Sequence, residues 1–411
     1  MPGKTERARE LENLYHARKR ILIDDYTSDS DAIDEEMRQN LEMTATILRV
    51  RNFSRPKTYR NKGFDADQAF QSWLTDMRFV TFAHMSRSSF EYIFQMIRDD
   101  TIFVNPSFAS PSRQRSVYFQ LFVALTRLTA DGDGGCINRV CELFNIGHGT
   151  IIKYTERVCA AMVRHVDRWV RWPDETARKA LSALGQAKYG FPGFVASCDG
   201  TMIGIRRAPV FLQYPEAYHH HRHNGYGFNV LFWVDHHGSI LRFTCNWPAS
   251  AADQTIFNAS HFAQNPWTYL KKDEEFIFVD LGFKRETFAV PPYKGKEAKL
   301  KHNAEFNFAQ RRGRVKVEHV NGCIKARFAS LKKIPINVKH ENDHARCAAW
   351  ITTCVMMHNI LLFLRDEFEY EAVDAGVDAG DVAEEEMAAA TAKVFQNAVR
   401  DRWLRDVAGW E

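Results

Sequence analysis

Between residues 186 and 365, the order of short elements constrains this chain more than its composition does. A β-like run, Phe194–Ile205, is interrupted by Asp199-Gly200-Thr201. Two runs, Phe228–Val234 and Ser239–Thr244, flank Asp235-His236-His237-Gly238, which reads as a hairpin signal. Asp253–Phe262 can form a helix, and Glu275–Val279 is an apolar strand ending at Asp280. A long basic helical stretch follows, from about Ala304 to Leu331, and carries Glu318. The series is strand with Asp, hairpin, helix, strand ending in Asp, helix with Glu.

That series is the layout of a ribonuclease H-like mixed sheet, in which the first and fourth strands lie side by side. Such a fold brings Asp199 and Asp280 together and supplies Glu318 from a helix packed on the sheet. Three carboxylates alone repel one another. Hard divalent ions such as Mg²⁺ or Mn²⁺ take oxygen ligands, and a pair of them suits phosphoryl displacement. Around Glu318, the residues Val317, Val320, Ile324, Phe328 and Leu331 recur at helical spacing and predict a buried stripe. Arg311, Arg314, Glu318, Gly322 and Lys325 fall on another face. Lys284 to Lys333 holds 14 Lys/Arg against 4 Asp/Glu, a local balance of +10. An acid in such a basic field suits a metal that meets a polyanion. A solvated helix with a salt-bridged Glu is the competing reading.

The whole chain carries a net charge of only +4 over 411 residues, so global charge does not indicate nucleic acid. Hydrophobic content of 45% is enough to fill a core. The first 20 residues are charged and lack the apolar stretch of a secretory signal. Trp350–Leu364 is too short and polar for a spanning helix and reads as a core helix, so no membrane is expected. The eight cysteines form no CxxC pair, which suggests free thiols in a reducing compartment. The expected class is α+β: a charged N-terminal tail (1–64), a helical DNA-binding region (65–185), a catalytic domain (186–365) and an acidic, partly helical C-terminal tail (366–411). Within the helical region, Ile137–Val163 breaks at Asn145-Ile146-Gly147-His148-Gly149-Thr150, with Thr150 a candidate cap. That outline fits a helix-turn-helix or an ordinary helical hairpin. His219-His220-His221-Arg222-His223 lacks partner ligands at metal spacing. His358 reads as a hydrogen-bonded core residue, and Cys198 as core on the face opposite Asp199.

Six blocks in order give the chain a family resemblance. Cys198-Asp199-Gly200-Thr201-Met202-Ile203 resembles a DGTHI block, and Trp247-Pro248-Ala249-Ser250-Ala251-Ala252-Asp253 a PGSxHDS block. Val279-Asp280-Leu281-Gly282-Phe283 resembles GDSGY, and Pro291-Pro292-Tyr293-Lys294 resembles LTPY. Arg314-Val315-Lys316-Val317-Glu318 with Gly322, Lys325, Arg327-Phe328 and Leu331 matches RxxVExxFGxLKxRFxxL, and Met357-His358-Asn359-Ile360 resembles an LHN block. Together, over residues 75–365, these resemble the PIF/Harbinger DDE transposases and their domesticated nuclease relatives.

The resemblance implies metal-dependent cutting and joining of DNA at transposon ends. Asp199, Asp280 and Glu318 would be the catalytic triad, and Asp253 a further ligand for two Mg²⁺ or Mn²⁺ ions. It implies double-stranded DNA as partner, an accessory Myb-like DNA-binding protein, a homo-oligomer, and a nuclear location, otherwise cytoplasmic. Arg311, Arg314, Lys325 and Arg327 are candidate phosphate contacts, and Lys153 or Arg157 candidate base readers. The family pattern is altered at Ala252, Gln254, Val279 and Leu281. Those changes keep open a catalytically inactive domesticated DNA-binding or scaffolding protein. A phosphohydrolase of small phosphate esters is a third reading.

Overall fold

Side-chain caps set the helices of the first half. The structure, a computed structural model, describes residues 76–104, 114–131, 137–209, 214–221, 224–367 and 388–403, all within a unit spanning Asp65–Glu411. The expected 1–64 tail, Arg222-His223 and residues 368–387 and 404–411 of the expected C-terminal tail lie outside the described residues. Helix α1 is Asp76–Ala83 and α2 is Arg87–Ile97, opened by Ser86, whose hydroxyl accepts the Ser89 N–H. Ser116 does the same for α3 (Val117–Thr129), a helix buried from Phe119 onward. Asp174 caps α6 (Glu175–Tyr189), which Gly190 ends in the left-handed conformation, φ 81.

Between them, α4 (Ile137–Phe144) and α5 (His148–Val163) are joined by a short turn with Asn145 at φ 50. The cap of α5 is Gly147, not Thr150. Ile151, Tyr154, Thr155, Arg157 and Val158 are all buried in α5, leaving Lys153 and Glu156 on its exposed side. Arg127 of α3 donates to Thr155 of α5 at 2.8 Å and lies over the Trp350 ring. These helices share one hydrophobic core with strands and helices of the second half.

The sheet is mixed. Its strands are β1 (Phe194–Gly204), β2 (His219–His220), β3 (Gly225–Val234), β4 (Ile240–Pro248), β5 (Phe276–Phe278) and β6 (Ala289–Val290). The order is β2-β3-β1-β5-β6, with β4 on the other flank of β3. β1 runs antiparallel to β3 and parallel to β5. Contrary to the sequence expectation, Asp199-Gly200-Thr201 does not interrupt β1; all three residues pair with β3. Helix α7 (Asp253–Ala259) is shorter than expected, because Ser260 starts a new turn by capping Ala263.

Two long helices complete the described unit. α8 (Lys301–Arg327) presents Val317, Val320 and Ile324 to the core, as the spacing requires. α9 (Glu341–Phe363) contains a stretch long and apolar enough by composition to cross a membrane, but 67% of that stretch is buried inside the protein. A last helix, α10 (Ala388–Trp403), lies near the start of α8, with Arg400 donating to Asn303 at 2.9 Å.

The His-Asn pair of α9 clamps the β3–β4 hairpin. Asn359 accepts the Ile240 N–H at 2.9 Å and donates to the Ile240 carbonyl at 2.8 Å, so a side chain acts as a neighbouring strand. His358 Nε2 lies 3.0 Å from the Gly238 carbonyl, an arrangement that requires the proton on Nε2. Burial holds this imidazole down to about 4, against the raising effect of the Gly238 bond. The folded state therefore resists a proton that the unfolded chain accepts near 6.5. Stability is full above that value and falls as pH drops toward 4. The expected loss is on the order of 2 kcal/mol, allowing for partial solvent contact of the ring. Urea titrations between pH 7 and 4 should show it, and a His358→Gln variant should show a flatter acid limb.

Candidate active site

Register explains why two aspartates meet. Ser197 of β1 pairs with Phe278 of β5, and two residues further along each chain stand Asp199 and Asp280. Side chains alternate across a sheet, so Ser197 and Asp199 share the face that packs on α8. On that face the Ser197 hydroxyl donates to the Gly313 carbonyl at 3.4 Å. Cys198 and Val279 point the other way, into a second core cluster with Trp233. Gly313 lets α8 come close: a Cβ there would sit 2.9 Å from the Phe194 ring and 3.3 Å from Phe278.

One stripe of α8 then runs along β1. Arg314 Nη1 lies 2.7 Å from the Asp280 carboxylate, and its Nη2 lies 3.0 Å from Glu318 and 3.9 Å from Asp199. Acids from β1, from the segment after β5 and from α8 thus converge on one guanidinium, whose side chain is 8% exposed. Seven residues past Arg314, Asn321 donates to the second Asp199 oxygen at 3.2 Å. Lys325 donates to the Thr201 hydroxyl at 2.6 Å. Gly322, on the same side, has open space where a Cβ would be.

The fourth acid arrives differently. A Cβ on Gly200 would meet the carboxyl atoms of Asp253 at 2.4 Å, on the face opposite Asp199. Asn229 of β3 fixes that carboxylate, donating to it at 2.6 Å and to the Ala251 carbonyl at 2.8 Å. Asp253 is therefore close to Asp199 through the gap that a glycine leaves, near enough to act on its charge.

These contacts set the electrostatics. Burial pushes Asp199 up to about 7; Arg314 opposes the rise, while Asp280, Asp253 and Glu318 add to it. Burial pushes Lys325 down to about 8, and Asp199 opposes that fall. The donor set is all carboxylate oxygen, the kind that Mg²⁺ and Mn²⁺ prefer. A buried guanidinium already stands among these oxygens as a cation. In this arrangement, among the described residues, no three His, Cys, Asp or Glu side chains stand close enough together to hold an ion.

The basic residues singled out in the sequence are dispersed. Arg311 is exposed on α8. Arg314 and Lys325 bond within the pocket, where the sequence reading expected phosphate contacts. Arg327, nine residues past Glu318 and so about half-way round the helix, donates to the Asp366 carbonyl at 2.6 Å instead. Arg157 is buried, whereas Lys153 is exposed. Asn229, Asn321 and the Thr201 hydroxyl were not singled out as site groups by sequence. Single polar residues in apolar elements are the signal that could have found them, because a buried amide needs a partner.

Residues 198–359 match the family described as DDE superfamily endonuclease. The Arabidopsis thaliana protein Antagonist of Like Heterochromatin Protein 1 is 23% identical over 318 residues, covering 73% of this chain and 77% of its own length. No solved structure matches the chain.

Proposed function

We propose, for a chain that carries a DDE superfamily endonuclease domain over residues 198–359, that it cuts and joins DNA phosphodiesters with Mg²⁺ or Mn²⁺ held by Asp199, Asp280 and Glu318. The observation that carries the reading is the convergence of those acids, from three separate elements, on the single Arg314 guanidinium. Asp253 sits beside them as a further candidate ligand. When bound, the ions would supply the positive charge that phosphoryl displacement requires. The chain's own part is to hold the carboxylates in register. Asn321 orients Asp199, Asn229 orients Asp253, and Lys325 anchors Thr201. The fold in this reading is the ribonuclease H-like one.

A polyanionic partner fits the surface around the pocket. Lys294, Lys296, Lys299, Lys301, Arg311 and Arg312 are all exposed on the long helix and on the segment that leads into it. The α4–α5 hairpin offers Lys153 but not Arg157 to a groove, so DNA positioning rests more on these basic residues. Nuclear action agrees with the relative whose name opposes it to a heterochromatin protein. A homo-oligomer and a Myb-like accessory protein complete the proposal by family resemblance.

One observation favours a second reading, a DNA-binding or scaffolding protein without catalysis: Arg314 already neutralises the acids internally. A labelled duplex pool of random sequence separates the two. Wild-type protein is expected to nick it in Mg²⁺ or Mn²⁺ and to stop when EDTA removes the metal. Binding in EDTA should weaken steeply with salt, as counterion release requires. Salt-sensitive binding without nicking in either metal selects the second reading. Absence of binding at low salt removes both.

A further inference from the structure

We infer that Arg314 is a displaceable internal cation: it closes the acid pocket by pairing with the carboxylates, and it must withdraw before a divalent ion can enter. The inference rests on the proposed metal site. Carboxylates gathered in a poorly hydrated pocket repel one another unless positive charge is placed among them. Arg314 supplies that charge, reaching Asp280 at 2.7 Å and Glu318 at 3.0 Å, with Asp199 at 3.9 Å. A dication at the same oxygens would meet the guanidinium as a like charge at contact distance. The two are alternatives, not co-occupants.

The side chain is also built to leave. Its Nε is buried without a hydrogen-bond partner, so the closed position does not use all five donors. The pocket opens on the side of Asp280 and Glu318, whose side chains are 38% and 27% exposed. A guanidinium swung to that mouth presents a planar fork of donors, the shape that matches a phosphodiester. Arg314 would then exchange carboxylate partners for a DNA phosphate, which couples metal entry to substrate capture. Arg311, one turn earlier and exposed, marks the surface it would reach.

Mn²⁺ binding to the full chain without DNA tests this, read from the paramagnetic resonance of free Mn²⁺. Arg314→Met is expected to bind Mn²⁺ at least tenfold tighter than wild type, and Arg314→Lys to an intermediate degree. Affinity in Arg314→Met equal to or weaker than wild type overturns the displacement, while the metal site itself stands. No binding by wild type or by Arg314→Met overturns the metal site as well. Should Arg314→Met fail to fold, the wild type gives its own readout: the arginine Nε–H NMR signal that Arg314→Lys removes. That signal is expected to shift and broaden as Mg²⁺ is added, because the N–H leaves its buried position for solvent. An unchanged signal at saturating Mg²⁺ overturns the inference.

Discussion

An Asp199→Asn variant is expected to lose metal-dependent strand cleavage by at least about three orders of magnitude while keeping its fold. The amide is nearly isosteric but cannot serve as an anionic metal ligand. Loss of several kcal/mol of charge stabilisation corresponds to a rate loss of about that size, at roughly 1.4 kcal/mol per tenfold. Stability should move the other way. The folded state keeps the Asp199 proton to about 7, whereas the ordinary value is 3.8. Ionising this group therefore weakens the native state as pH rises between those values. A neutral amide escapes that penalty, so the variant should melt at or above the wild-type temperature, most clearly above pH 7. Single-turnover cleavage together with thermal melts checks both halves. Wild-type cleavage rates in this variant would remove Asp199 from the chemistry.

Gly200→Ala should lower cleavage by about a hundredfold, the scale of a 1 Å misplacement of reacting groups. Glycine is an unfavourable strand residue, so its place in the middle of β1 calls for a cause. The cause is the Asp253 carboxylate, which a methyl group would meet at 2.4 Å. Asp253 has little room to retreat. It begins α7 and is held by Asn229 at 2.6 Å, so either the helix start or the strand must shift. A shift of β1 carries Asp199 with it. The double variant Gly200→Ala, Asp253→Ala relieves the collision and should recover most of the lost thermal stability without recovering activity. Failure of the double variant to regain stability would show that the strain lies elsewhere.

Much of this architecture could be read from pattern. The apolar runs of β1, β3 and β4 mark strands, and the three-four spacing of Val317, Val320 and Ile324 reports which face of α8 is buried. The acids at 199, 280 and 318 then follow from the order of elements. Pairing partners carry no such period. Nothing near Asn229 indicates Asp253, 24 residues on, and nothing near Asn359 indicates Ile240, 119 residues away. Arg314 and Lys325 show the same gap: helical spacing put them beside Glu318 but could not tell a phosphate contact from an internal one. Local polarity at Asp199-Gly200-Thr201 resembles a break although β1 continues through it, whereas unbroken apolar spacing hides the real break at Ser260. In the structure a neighbouring strand and a capping hydroxyl decide them.

The parallel pairing of β1 with β5 has a consequence for biogenesis. Residues 194–197 meet their parallel partner strand only at 276–278, and the helix that supplies Glu318 starts at Lys301. Contacts of such long sequence separation close slowly and depend on most of the polypeptide being present. A nascent chain halted on the ribosome before Lys301 has both aspartates but neither the glutamate nor the arginine that neutralises them. The acid cluster and its neutralising arginine thus assemble only once synthesis is well advanced.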